Sequence, residues 1–302
     1  MRVEQVERRS IEQLCSLLGY SRQAYYQGKQ ENEKQVLGKE LIVQQVLHIR
    51  EKQPRVGARK LLKMMDVFLD HHVTGMGRDA FFDLLRENRL LVRKRKRNKP
   101  ATTYSYHWFR RYPNLIKGFT PTGPNQLWVS DITYITMDGG FAYLSLITDA
   151  YSHKIVGFYL SRSLSAKGCV NALKMALENN PERGKLIHHS DRGIQYCCAA
   201  YIKILNKANI SISMTQSGDP LENAIAERVN GILKDELLKS KYADFKEAME
   251  AITLAVSIYN HQRLHFSIDL LTPAQAHHLN GEMKKHWKNY YPKRKEAQAM
   301  RV

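Results

Sequence analysis

The sequence predicts an α/β protein, with a mixed sheet in residues 126–276 preceded by an all-α region of helix-turn-helix type in residues 1–92. Three observations predict this. Apolar residues in the first 92 positions recur at helical spacing, punctuated by glycine, proline and capping serine. From Leu127 onward β-branched and apolar residues alternate or cluster in short runs joined by turn residues, and helical patterns then interleave with them. Charge divides along the same lines. Lys and Arg outnumber Asp and Glu 25 to 12 in residues 1–125, balance at 15 each in residues 126–274, and lead 7 to 2 in residues 275–302. A neutral middle between basic arms suits an enzyme core held on a polyanion by separate binding segments.

The helical region begins with Ile11-Glu12-Gln13-Leu14-Cys15-Ser16-Leu17-Leu18, closed by Gly19. Ser21 then caps a short helix over Arg22-Gln23-Ala24-Tyr25-Tyr26. Helix, glycine turn and capped helix is helix-turn-helix order, equally readable as plain helix packing; Arg8, Arg9 and Arg22 favour DNA. A long helix is predicted over residues 33–52, with Leu37, Leu41, Ile42, Val46 and Ile49 as its apolar stripe. After the break at Pro54 and Gly57 comes a helix over 58–65 exposing Arg59, Lys60 and Lys63. Gly75 and Gly77 mark a turn into a helix over 78–85, whose Arg78 is a candidate DNA contact.

Residues 93–125 read as a basic linker. The run Arg93-Lys94-Arg95-Lys96-Arg97-Asn98-Lys99 is a tether whose charges, Arg95 and Arg97 among them, gain affinity for DNA by releasing counterions. Tyr104, Tyr106, Trp108 and Phe109 read as packing anchors. In the core, the strand carrying Asp131 turns at Asp138-Gly139-Gly140 into a second strand ending at Asp149, which reads as structural or as a support for the site residues. A strand over 154–160, a helix over 165–178, a strand over 186–189, a helix over 195–208, a strand over 210–214 and a helix carrying Glu227 follow. Residues 215–220 read as a mobile loop, 245–259 as a final helix, and 277–302 as a basic tail.

Three acids stand out within this core. Asp131 lies in Leu127-Trp128-Val129-Ser130-Asp131-Ile132-Thr133-Tyr134, Asp191 in His188-His189-Ser190-Asp191-Arg192-Gly193, and Glu227 in Glu222-Asn223-Ala224-Ile225-Ala226-Glu227-Arg228. Two strand-borne aspartates and one helix-borne glutamate can cage two hard divalent cations, Mg2+ or Mn2+, which prefer carboxylate oxygens. Two such ions suit phosphoryl transfer. Lys234 follows Glu227 by seven positions, two helical turns, and so shares its face, where it can grip a phosphate.

Thirty-five residues separate Asp191 from Glu227. This spacing resembles the DD(35)E core of the retroviral-integrase and transposase superfamily, and more closely the second-frame (OrfB-type) transposases of bacterial insertion sequences. Gln195, Tyr196, Tyr259, Asn260, Arg263, His265, Thr272 and Pro273 extend the match. The resemblance implies an RNase H-like catalytic core that cleaves and joins DNA strands at a mobile element's ends, with Asp131, Asp191 and Glu227 as catalytic metal ligands. Arg192, Arg228, Arg263 and Lys234 are candidate DNA contacts. It implies element ends and target DNA as partners, a homo-oligomer on DNA, and an upstream first-frame half, for no long heptad zipper is present here. The alternatives are an RNase H-like nuclease without joining activity and a DNA-binding regulator.

The remaining composition narrows the classes. Four cysteines form no CxxC pair and twelve histidines show no zinc-module spacing. No signal peptide opens the chain, no apolar stretch is long enough to span a bilayer, and the basic stretches lack an interfacial pattern. A cytoplasmic, nucleoid-associated bacterial protein with no membrane partner is expected.

Overall fold

A computed structural model describes residues 10–72, 76–93, 109–181, 184–216 and 220–286. The expectations for Arg8, Arg9, Gly75, Arg95, Arg97, Tyr104, Tyr106, Trp108, the loop residues 217–219 and the tail beyond residue 286 lie outside the described residues. The chain forms two compact units, Met1–Lys94 and Arg95–Val302.

The first unit is all-α. Helix α1 (Ile11–Leu17) starts at Ser10, whose side chain accepts from Gln13 N while the Gln13 side chain accepts from Ser10 N, and Gly19 leaves it at φ +72°. Helix α2 (Arg22–Lys52) starts at Ser21, which accepts from Ala24 N. The predicted pair of helices over 22–26 and 33–52 is therefore one helix of 31 residues. Gly28 is tolerated inside it because Gln27, Lys29, Gln30 and Glu31 are good helix formers and no proline intervenes. Its buried apolar stripe is narrower than predicted. Ile42 and Val46 are buried, but Leu37 and Leu41 are 58% and 40% exposed. Helix α3 (Ala58–Met64), an unforeseen α4 (Asp66–His72) and α5 (Arg78–Glu87) close around Ile42, Val46, Val56, Leu61, Met65, Leu69, Phe81, Leu84 and Leu85. Lys60, expected at the surface, is instead buried on α3 beside Leu61.

The second unit is a five-stranded mixed sheet in the order β3-β2-β1-β4-β5. Strands β1 (Leu127–Met137), β2 (Gly140–Asp149) and β3 (Ile155–Ser161) form an antiparallel meander, and β4 (Ile187–Ser190) and β5 (Ser211–Met214) add in parallel beyond β1. This is the RNase H-like α/β architecture. On one face α6 (Ala166–Asn179), α7 (Ile194–Cys197) and α8 (Ala199–Lys207) pack on Trp128, Ile147, Val156 and Ile212. On the other, α9 (Ala224–Ile232), a π-helical turn (Leu233–Leu237) and α10 (Phe245–His261) pack on Ile135, Leu144, Leu146 and Leu160. Helix α11 (Pro273–Ala276) follows, and His277 just beyond it bonds Ser152 Oγ at 2.9 Å.

Two details depart from the expected elements. The helix predicted over 195–208 breaks at Cys198, which adopts φ −70°, ψ 147° and separates α7 from α8. Tyr196 and Tyr201 both turn into the sheet core, and an unbroken helix would place them about 140° apart. Second, residues 109–116, predicted as linker, lie along the sheet edge. Leu115 N donates to Ser213 Oγ at 2.9 Å, Met214 N donates to Pro113 O, and Phe109 and Tyr112 pack on the core. Among the described residues no helix is long and apolar enough to cross a membrane.

Candidate active site

Strand alternation orients the first acid. Along β1, Trp128 faces α6–α8, so Asp131, Thr133 and Ile135 face the α9 layer. Parallel pairing matches Val129 with His189. Continued two residues, that register sets Asp191, just past the end of β4, beside Asp131. Asp191 is held locally: its Oδ1 accepts from Gly193 N at 2.9 Å. A Cβ on Gly193 would stand 2.9 Å from that same oxygen, so the glycine leaves the room the carboxylate occupies.

Helix α9 lies over β1 by a stripe of side chains. Asn223 Nδ2 donates to Ser130 O at 3.0 Å, Asn230 Nδ2 to Asp131 Oδ2 at 2.7 Å, and Lys234 Nζ to Thr133 Oγ1 at 3.1 Å. Positions 223, 227, 230 and 234 follow helical spacing, which carries Glu227 onto the face that spans β1. Glu227 and the neighbouring Arg228 are exposed, and Arg192 is partly buried beside Asp191. The sequence reading did not single out Asn230. Its signal was its place one turn after Glu227, on the same face.

Electrostatics ties the three acids together. Burial, then the charge of Asp191, pushes the Asp131 carboxyl up to about 7; hydrogen bonds from Asn230 and Ile132 N pull it down, and Glu227 adds a further push upward. Such mutual repulsion is what a hard cation relieves, and carboxylates are its preferred donors. Among the described residues, however, no three His, Cys, Asp or Glu side chains are already gathered as a metal site. Glu227 stands exposed on α9, one turn before Asn230.

The other candidates fall elsewhere. Asp149 is fully buried and structural: it accepts from Asn125 N, Ser152 N and Ser152 Oγ at 2.7, 2.8 and 2.7 Å. His189 is also buried, bonded through Nδ1 to Ser213 Oγ at 2.8 Å, and burial lowers its pKa. Its neighbour His188, in contact with Ser130 and Tyr201, is held down at about 3 by burial. Arg78 is exposed at the start of α5 and bonded to Asp79 at 2.9 Å. Arg263, predicted to contact DNA, is instead 3% exposed, and its guanidinium engages Glu236 and His265.

Residues 121–220 match one integrase core domain family and residues 208–273 a second family of the same description. The chain is 35% identical over 267 residues to the insertion element IS600 uncharacterized 31 kDa protein of Shigella sonnei, covering 86% of this chain and 96% of that protein. It is 34% identical over 154 residues to the putative transposase for insertion sequence element IS986/IS6110 of Mycobacterium tuberculosis, covering 49% of this chain and 55% of that relative's length. The HTLV-2 integrase catalytic core domain in complex with magnesium is similar at 18% identity with a TM-score of 0.43, over 53% of this chain and 100% of that one.

Proposed function

Because this chain belongs to the insertion-sequence transposases that carry an integrase core domain, we propose that it cleaves and joins DNA strands at the ends of its element. The chain serves DNA transposition as a polynucleotidyl-transferase type of enzyme. The observation that carries the finer reading is the set of bonds from Asn223, Asn230 and Lys234 to Ser130, Asp131 and Thr133, with Glu227 in helical phase with them and the charge of Asp191 acting on Asp131. Asp131, Asp191 and Glu227 would hold two divalent ions, magnesium or manganese. Bound there, such ions lower the pKa of the attacking hydroxyl and stabilise the leaving oxygen.

The chain's own residues supply positioning. Asn230 fixes the rotamer of Asp131, and Gly193 N fixes that of Asp191. Lys234, exposed at the rim, holds a phosphate of the strand being cut, with Arg192 and Arg228 flanking it. In the first step water attacks a phosphodiester at the element's end, and the 3′ oxygen leaves with a proton as a free 3′-OH. In the second that 3′-OH attacks another phosphodiester in line, loses its proton, and displaces that bond's 3′ oxygen. Ends brought together by a second copy of the chain are the substrate, and the basic helical unit and linker hold them.

The test is strand cleavage and joining on labelled DNA bearing the element's own ends, with magnesium, for wild type and Glu227→Gln. Metal-dependent joining that drops at least about 10³-fold in the variant supports the reading, as expected when a ligand of the reacting centre is lost. Cleavage without joining in the wild type would support a nuclease instead.

A further inference from the structure

Arg263 lies in a stretch rich in polar and basic side chains, yet the fold commits it inward. Its side chain is 4% exposed. Nε donates to Glu236 Oε2 at 2.8 Å and Nη2 to Glu236 Oε1 at 2.7 Å, a two-pronged pair, while Nη1 donates to His265 Nε2 at 2.8 Å. A guanidinium can only donate, so His265 accepts at Nε2 and carries its proton on Nδ1. The His265 ring in turn meets Tyr259 edge-on at 5.0 Å, and Tyr259 is a fully buried core residue of α10. Arg263 is thus braced from the α10 side before it reaches Glu236.

Glu236 belongs to the π-helical turn Leu233–Leu237, marked by the bond from Leu238 N to Leu233 O at 2.8 Å. Such turns are rarer than α-helix and concentrate at functional sites, and this one persists with support from outside the helix. The support falls two residues from Lys234, whose Nζ reaches Thr133 Oγ1 on the Asp131 face of β1. Removing one partner of a buried pair strands the other charge, so the turn and its anchor are linked.

We propose that Arg263 is a positioning residue for strand joining: through Glu236 it holds the π turn in the register that aims Lys234 at the Asp131 face of the sheet. This rests on the active-site reading given above. It differs from a DNA contact, because Arg263 acts without touching the substrate.

The experiment compares full-length wild type, Arg263→Lys and Glu236→Gln. Amide hydrogen exchange across residues 233–238 is read without DNA or metal; joining rate and DNA affinity across salt are read on labelled element ends. The expected result is exchange faster by about tenfold or more in both variants, and joining slower by about 10²-fold, as for a catalytic group displaced by about 1 Å. DNA affinity and its salt slope change by no more than the one phosphate contact of Lys234, and equally in both variants. Weaker DNA binding with a shallower salt slope in Arg263→Lys, beside equal or tighter binding in Glu236→Gln, overturns the proposal in favour of a phosphate contact. Unchanged exchange and joining in both variants overturns it too, and so does loss of the cooperative melting transition in both, which makes the pair purely structural. Absence of joining in the wild type counts against the active-site reading, whereas the exchange measurement still decides the clamp.

Discussion

Burial and the facing charges of Asp191 and Glu227 hold the Asp131 carboxyl up at about 7, against about 4 for an unfolded aspartate. A raised carboxyl favours the folded state while it is protonated. Its contribution is full below the unfolded pKa and is lost as pH rises through about 7. The metal-free chain therefore gains stability over its own Asp131→Asn variant as pH falls from 8 to 5. The difference between the two proteins isolates this group. His153 and His188, which burial lowers to about 4 and about 3, work in the opposite sense as pH falls below 6.5 in both proteins. Thermal melting without metal checks it. The wild type is expected to melt below Asp131→Asn at pH 8 and to close that gap at pH 5, by a few degrees, since 1 kcal/mol is roughly 2–4 °C for a unit of this size. Magnesium raises the wild-type midpoint most at pH 8, where the carboxyl is charged. A gap that does not change with pH would mean that Asp131 titrates as an ordinary aspartate.

At the scale of elements, strand β3 and helix α6 approach at Gly157. A Cβ there would stand 2.8 Å from Ala176 Cβ and closer still to Ala172 O, backbone that cannot swing aside. Gly157→Ala is expected to lower stability by about 1–3 kcal/mol through overpacking, read as an earlier denaturant midpoint at unchanged slope. A midpoint equal to wild type would show that the two elements can part freely. The same scale shows what the sequence made legible. Strands β1 to β3 announce themselves through short β-branched and apolar runs and the Asp138-Gly139 turn, as strands covered on both faces do. Asp131, Asp191 and Glu227 stand out in the sequence by residue type and spacing, and the proposed site rests on that reading. The break at Cys198, the π turn after Ile232 and the extra helix α4 were not foreseen from the sequence. They are imposed by contacts distant in sequence. Arg263 shows why: its partner Glu236 lies 27 positions away, and nothing local separates a buried arginine from one that meets DNA.

Across the whole molecule, charge and chemistry are carried by different stretches of chain. Residues 126–274 contain the three acids and are neutral at 15 against 15, while the +18 excess comes from the residues on either side. If the basic flanks hold the DNA as proposed, their phosphate contacts supply affinity and orientation but carry no sequence information. The stretch 93–99 holds six of the basic residues in seven positions. Each phosphate neutralised by such a residue releases counterions and adds about 0.9 to the slope of log affinity against log salt on duplex DNA. Replacing those six with serine is therefore expected to weaken binding to any duplex, specific or not, and to flatten the slope by up to about five units. Titrations between 50 and 200 mM salt on an element end and on an unrelated duplex of equal length check it. Equal losses on both would mark the stretch as an electrostatic tether. A loss confined to the element end would give these residues a part in reading sequence, and an unchanged slope would show that the charges stay in solvent when the DNA is bound.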